Sequence, residues 1–241
     1  MVKRILVAGA TGLVGRAVVE LLAARTDDDI DVQALVRRPG SLPRELLDSG
    51  RVREIEFGCA RGDYARIAGG DLRCDVVICC IGTTMRTAGS KEKFVAVEHE
   101  IPVRLAAALA AGGGRSFALV SSHGAGSPMG FYLDTKARAE KDVQTHGIAS
   151  VVIARPSLLL GPRAEFRPGE RAAILMAVPV MKVLQAATGR RITALNNLEP
   201  IPAEQVARRL IQMSVDQPKP GLTILEGESL TRQVAPHSRP G

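Results

Sequence analysis

Two hydrophobic periods alternate along this chain, and their alternation predicts a layered α/β fold. Residues 5–8, 32–36, 75–81, 116–121 and 151–154 are short, nearly continuous apolar runs, the pattern of strands covered on both faces. Between them the spacing changes to three and four. Leu13, Val14, Ala17, Val18, Leu21 and Leu22 repeat in this way, as do Phe94, Val97, Ile101, Leu105 and Leu109 within a helix expected over 90–111. Pro102 should kink that helix or mark its true start. Residues 52–57 alternate apolar with charged and predict a further strand, residues 41–49 a short helix, and residues 132–146 another helix. Beyond residue 161 the strict alternation lapses. A polar loop over 163–170 is followed by an expected helix over 171–187, then a helix over 203–215 with Val206, Leu210 and Met213 on one face, and a last strand near 222–225. The reading is a single doubly wound parallel sheet over 1–228, with residues 156–228 as a small, partly helical segment over the mouth of its crevice. Residues 229–241 carry Pro, Ser and Arg without periodicity and are expected to fray.

The change of period is sharpest across Gly9-Ala10-Thr11-Gly12-Leu13-Val14-Gly15, where a strand runs through a glycine-paced turn into a helix. Gly9 suits a tight turn, Gly12 lets backbone approach a pyrophosphate, and Gly15 lets the helix lie close. The helix N-terminus then presents free N–H groups to an anion. The Gly-x-x-Gly-x-x-Gly spacing is a variant of the dinucleotide fingerprint and lacks the Lys-Ser/Thr of a triphosphate loop. Arg37 and Arg38 stand just past the second strand, where an acidic residue would grip a ribose 2′-hydroxyl and arginine accommodates a 2′-phosphate. That points to NADP(H). Gly82 closes the fourth strand, where a side chain would obstruct a passing ligand.

Composition narrows the classes. At 241 residues and 46% hydrophobic the chain suits one large domain. The net charge of +7 is concentrated late: residues 155–241 hold twelve basic and seven acidic residues. No basic run exceeds two residues and only 3% are aromatic, so nucleic acid is not the expected partner and an anionic cofactor explains the sign. Cys59, Cys74, Cys79 and Cys80 have neither zinc-ligand nor secreted-disulfide spacing, and no metal is expected. No apolar stretch reaches membrane-spanning length and no signal peptide precedes the first strand, so a cytoplasmic location is expected.

Tyr132 and Lys136 stand four apart on an expected helix and so share a face. A phenol beside an ammonium can exchange a proton with a carbonyl or alcohol oxygen. The bland alternative is a core tyrosine, with Lys136 paired to Glu140 on the helix surface. The order of the glycine turn, Ser121-Ser122 and Tyr132-x-x-x-Lys136 resembles the short-chain dehydrogenases/reductases. The stretches around Ser121–His123, Phe131–Lys136 and Arg155–Leu160, with Arg167-Pro168-Gly169-Glu170, are similar to an atypical branch that includes the HIV Tat-interacting protein.

The resemblance implies an NAD(P)-binding Rossmann fold and oxidoreductase chemistry on a small carbonyl or alcohol. Tyr132 would be the acid/base, Lys136 would bind the nicotinamide ribose, and Ser122 or Ser121 would hold the substrate oxygen. Gly9, Thr11, Gly12, Leu13, Val14, Arg37, Arg38, Gly82, Thr83, Lys136, Pro156 and Leu158 would contact the cofactor. The loop before Tyr132 is shorter than is usual in the family. The asparagine that many relatives carry in the fourth helix is absent, with Glu98 near its place. The rival reading is a non-catalytic NADPH-binding regulator that meets a protein partner. Residues 171–187 hold too many apolar side chains for one stripe and are interrupted by Pro179. Segment 163–187 is therefore expected to cover the crevice and face a ligand, a protein partner or a second copy.

Overall fold

Strands that carry apolar side chains on both faces must be covered on both faces. In the computed structural model, which describes residues 2–26, 29–59, 62–161 and 200–232, they are. In chain order the elements are β1 (Lys3–Ala8), α1 (Leu13–Ala23), β2 (Ile30–Val36), α2 (Arg44–Leu47), β3 (Val52–Glu56), α3 (Tyr64–Ala68), β4 (Val76–Cys79) and α4 (Met85–Ala88). There follow α5 (Lys91–Val95), α6 (Ile101–Ala111), β5 (Ser116–Val120), α7 (Gly130–Val143), β6 (Ser150–Arg155), β7 (Leu159–Leu160), β8 (Ile201–Pro202) and β9 (Gly221–Glu226). Seven strands form one parallel sheet in the order β3-β2-β1-β4-β5-β6-β9, and β7 and β8 pair separately. The order reverses beside β1, whose Val7 is in register with Ala34 on one side and Ile78 on the other. This is the doubly wound Rossmann arrangement.

Alternate residues of each strand feed two separate cores. Ile5, Val7, Val32, Ala34, Ile78 and Val152 face α1 and a C-terminal helix, Ala203–Ile211. Leu6, Ala8, Val77, Phe117 and Ile153 face Leu105 and Leu109 of α6. Each such fully buried aliphatic side chain contributes about 1.5–3 kcal/mol of transfer free energy. The described part of the C-terminal segment is thus built into the sheet: its helix lies beside α1, and β9 is the seventh strand. Segment 163–187, expected to cover the crevice, lies outside the described residues.

The long helix expected over 90–111 is divided. Between α5 and α6 the residues Ala96–Glu100 form a π turn, closed by the Ile101 N–H donating to the Ala96 carbonyl. Pro102 explains it. Proline has no N–H to give the carbonyl four residues back, and its ring crowds that carbonyl, which belongs to Glu98. The helix relieves the conflict by widening one turn. Residues 229–231, expected to belong to a frayed tail, instead lie in a helical turn, Glu228–Thr231, whose Leu230 is fully buried, and residues 233–241 lie outside the described residues. Helix α3 was not anticipated: it has five residues and no side-chain cap to announce it.

Candidate active site

Parallel strands all end on one edge, so the segments that follow them converge although they are remote in sequence. Residues 9–12 follow β1, 37–38 follow β2, 80–83 follow β4, 121–122 follow β5 and 156–158 follow β6. The reversal of strand order at β1 and β4 puts the ligand crevice of such a sheet between the first and third of these segments.

Gly9 has φ 79°, and a Cβ there would stand 2.7 Å from the carbonyl carbon and oxygen of Cys80. Both the left-handed backbone and the contact with the β4 edge require glycine. A Cβ on Gly15 would stand 2.1 Å from the Gly9 oxygen, so the start of α1 lies directly against the turn. Gly12 caps α1 and donates its N–H to the Gly9 carbonyl at 2.9 Å, while Thr11 and Gly12 are exposed. No acidic side chain stands in the first turn of α1. Its uncompensated N–H groups and partial positive charge are suited to an anion.

Arg37 and Arg38 are exposed, and among the described residues no side-chain hydrogen bond or ion pair engages either guanidinium. The turn that carries them is nonetheless held. Ser41 Oγ donates to the Arg38 carbonyl at 2.5 Å, and the Glu54 carboxylate of β3 accepts from Gly40 N at 2.5 Å and Leu42 N at 2.7 Å. Two cations without a partner among the described residues, on a braced turn, can meet a phosphate, with the ordering cost confined to their side chains.

Tyr132 and Lys136 lie one turn apart on α7, and their environments differ. Tyr132 is 40% exposed, its ring packed at 5.6 Å, centroid to centroid, on the fully buried Phe94 of α5. Lys136 is buried, with its Nζ 2.5 Å from Glu98 Oε2 and 3.4 Å from the Val120 carbonyl, to which it donates. Glu98 is the residue that the π turn carries, and its side chain is only 1% exposed. Its other oxygen, Oε1, accepts from the Thr83 N–H. A Cβ on Gly82 would lie 3.5 Å from the same oxygen. Gly82, Thr83, Glu98 and Lys136 therefore form one junction at the end of β4.

The two serines after β5 part company. Ser121 is buried and donates its hydroxyl to Glu140 of α7. Ser122 is half-buried, and its hydroxyl makes only a 3.3 Å contact with the His123 carbonyl. Glu140 also takes Arg155 in a forked pair, Nη2 to Oε2 at 2.6 Å and Nε to Oε1 at 3.1 Å. This bond raises the Arg155 pKa from its ordinary value, against the opposing effect of burial. Arg155 Nη1 reaches Glu226 Oε2 at 3.3 Å, and His123 Nδ1 lies 2.9 Å from Glu226 Oε1. The surface pair Lys136–Glu140 does not form, since each residue has another partner. Pro156 is buried and Leu158 is 39% exposed just beyond β6.

With this geometry in view, a family model described as NAD(P)H-binding matches residues 9–174. The chain belongs to the NAD(P)H-binding family. It is 30% identical over 198 residues to the protein HTATIP2 of Rattus norvegicus, which covers 76% of this chain and 79% of that protein. It is 32% identical over 161 residues to FMP52 of Meyerozyma guilliermondii, named as a mitochondrial protein, covering 66% of each. Among solved structures, the Bordetella bronchiseptica enzyme WbmH in complex with NAD+ superposes with a TM-score of 0.66 at 16% identity, covering 94% of this chain and 76% of that one. That likeness establishes the same fold.

Within this NAD(P)H-binding frame, two residues beyond those expected from sequence belong to the candidate site: Glu98 in the junction and Phe94 against the Tyr132 ring. In sequence Glu98 stands near the place of an absent asparagine, and Phe94 belongs to a helix stripe. The signal lay in the spacing: Phe94, Glu98, Ile101 and Leu105 fall at steps of four, three and four, so a carboxylate occupies the buried stripe. Pro102 four residues later was the second sign. The cysteines behave as core. All four are free, and burial pushes the Cys79 thiol up to about 12 and Cys80 well above its ordinary value. Neither is a thiolate at neutral pH. Among the described residues no helix is long and apolar enough to cross a membrane.

Proposed function

We propose that this member of the NAD(P)H-binding family is an NADP(H)-dependent oxidoreductase of small carbonyl and alcohol compounds. The observation that carries the reading is the pairing on one face of α7. An exposed Tyr132 side chain stands one turn from a buried Lys136 ammonium, and that ammonium is held at the Gly82–Thr83 edge of the sheet crevice. A bound nicotinamide cofactor supplies the hydride. Tyr132 gives a proton to the substrate oxygen in reduction and takes it back in oxidation. Ser122, whose hydroxyl is not committed to a buried carboxylate, orients that oxygen. Lys136 binds the ribose and holds a positive charge beside the phenol. The glycine turn, with Gly9, Thr11, Gly12, Leu13 and Val14, takes the pyrophosphate, and Pro156 and Leu158 border the nicotinamide.

NADP(H) is favoured over NAD(H) because Arg37 and Arg38 are free and braced. The WbmH structure holds NAD+, so both pairs belong in the test. Four free thiols fit a reducing compartment, and we place the protein in the cytoplasm. Segment 163–187 would cover the site and meet substrate, a protein partner or a second copy.

A second reading has one observation in its favour. Glu98 already neutralises Lys136, which weakens the help that the ammonium gives the phenol. On that reading the chain binds NADPH as a regulator of a protein partner and turns nothing over. Purified protein with NADPH and a panel of aldehydes and ketones separates the two. The enzyme reading predicts cofactor oxidation that falls by about 10²–10⁴-fold in Tyr132→Phe. Saturable binding without oxidation of NADPH by any carbonyl would support the regulator and sink the enzyme.

A further inference from the structure

Glu98 is the least expected group at the junction. A carboxylate that is 1% exposed would carry a large desolvation cost if it were alone, and Pro102 forces a π turn that places it there. Its two oxygens are used unequally. Oε1 accepts from Thr83 N–H, whereas Oε2 has the Lys136 ammonium at 2.5 Å and no well-aligned hydrogen bond. Lys136 in turn has three N–H donors and spends one on the Val120 carbonyl at 3.4 Å. Cys79, the titratable neighbour of both, is held neutral by burial, which lifts it to about 12. The junction therefore carries one positive and one negative charge and sums to zero.

That sum matters for a ligand that exists in two charge states. An oxidised nicotinamide ring is a cation and a reduced one is neutral, so an unneutralised ammonium at this edge of the crevice would disfavour the oxidised form. A carboxylate in contact with the ammonium cancels the discrimination. Resting on the cofactor site proposed above, we infer that Glu98 is a specificity-determining residue, setting the balance between oxidised and reduced cofactor by neutralising Lys136 at the Gly82–Thr83 edge. The unmodified site holds the two forms with similar affinity, and either single charge removal tips it. Removing the carboxylate leaves an ammonium that repels the oxidised ring. Removing the ammonium leaves a carboxylate that attracts it.

The test is calorimetric titration of NADP+ and NADPH, with NAD+ and NADH alongside, into the full chain and its variants. Glu98→Gln removes the charge and keeps one acceptor oxygen, which can serve Thr83 N–H while the amide nitrogen no longer accepts from Lys136. It should shift the ratio of affinities toward NADPH by about tenfold, the scale of one charge acting through a partly screened interior. Lys136→Met should shift the ratio the opposite way. Glu98→Asp, which keeps the charge, should stay close to the unaltered protein. Glu98→Gln combined with Lys136→Met removes both charges and avoids a lone buried ion, so it keeps the test open if a single variant folds poorly. It should restore the original ratio. Shifts of the same sign in the two single variants, or an unchanged ratio in Glu98→Gln, would overturn the inference while leaving the cofactor site standing. Failure of the unaltered protein to bind either form would overturn both.

Discussion

Lys136 and Glu140 stand four residues apart on α7, both buried and both charged, yet they belong to different parts of the molecule. Glu140 is saturated. It takes a forked arginine and a serine hydroxyl, and that arginine continues to Glu226 and His123. This network ties α7 to the ends of β5, β6 and β9. Lys136 holds Glu98 Oε2 at 2.5 Å and the Val120 carbonyl at 3.4 Å, which leaves one of its three N–H donors over. A saturated buried ion cluster specifies structure, whereas an unsaturated one beside a crevice is ready for a ligand. On the function proposed above, the helix presents a structural charge and a functional charge on successive turns.

The largest expected effect lies on the structural side. Glu140→Ala leaves the half-buried Arg155 with only its contact to Glu226 and should cost about 3 kcal/mol of stability, read by urea unfolding. Its NADP+ to NADPH affinity ratio should stay unchanged in conditions where it folds. A shifted ratio with full stability would show that the two clusters had been assigned the wrong way round. The serines sharpen the same division. Ser121→Ala removes a hydrogen bond to a carboxylate and should lose about 1.5–3 kcal/mol of stability. Ser122→Ala should leave the unfolding midpoint in place and reduce turnover of whatever carbonyl the panel reveals.

A smaller effect is expected where charge meets solvent. Replacing Arg37 and Arg38 together by alanine should shrink the preference for NADPH over NADH about tenfold, measured by titration, with no change in the oxidised-to-reduced ratio. Equal affinities for NADPH and NADH in the unaltered protein would remove the basis for this. The smallest effect belongs to Pro102→Ala. It restores an N–H that can reach the Glu98 carbonyl and lets the π turn tighten. The cofactor ratio should move in the direction of Glu98→Gln but by less, and an unchanged ratio would show that the π turn does not position Glu98.

Much of the architecture was legible because it depends on pattern alone. Apolar runs such as 5–8 and 151–154 can only be covered strands, and each was recovered within the longer β1 and β6. Gly9 and Gly15 were legible because their requirement is steric: one needs a left-handed turn and the other a close helix. The ends of strands were less so. The run expected over 75–81 closes at Cys79: Cys80 still donates its N–H to the Ala8 carbonyl, and Cys80 and Ile81 then lie against Gly9, where β1 has already turned. The choice between Ser121 and Ser122 stayed open in sequence because neighbouring residues on a strand point to opposite sides, and only the position of Glu140 tells which side is the interior. Glu98 was hidden for a related reason. Its place on the buried stripe follows from the helical period, but its meeting with Lys136 and Thr83 depends on a π turn and on residues remote in sequence.

The central claim is that the glycine turn and the Lys136–Glu98 junction frame a single dinucleotide site at the carboxyl edge of the sheet. Gly12→Val tests it most directly. The backbone at Gly12 is extended, with φ −79° and ψ 172°, a conformation that valine adopts, and its Cβ would meet the Gly9 oxygen at 3.2 Å, a contact relieved by a small shift. The fold should therefore survive while the pyrophosphate is excluded. Calorimetric titration with NADPH should show saturable one-to-one binding to the unaltered protein and none to a folded Gly12→Val variant. Binding of NADPH to that variant at the affinity of the unaltered protein would contradict the account.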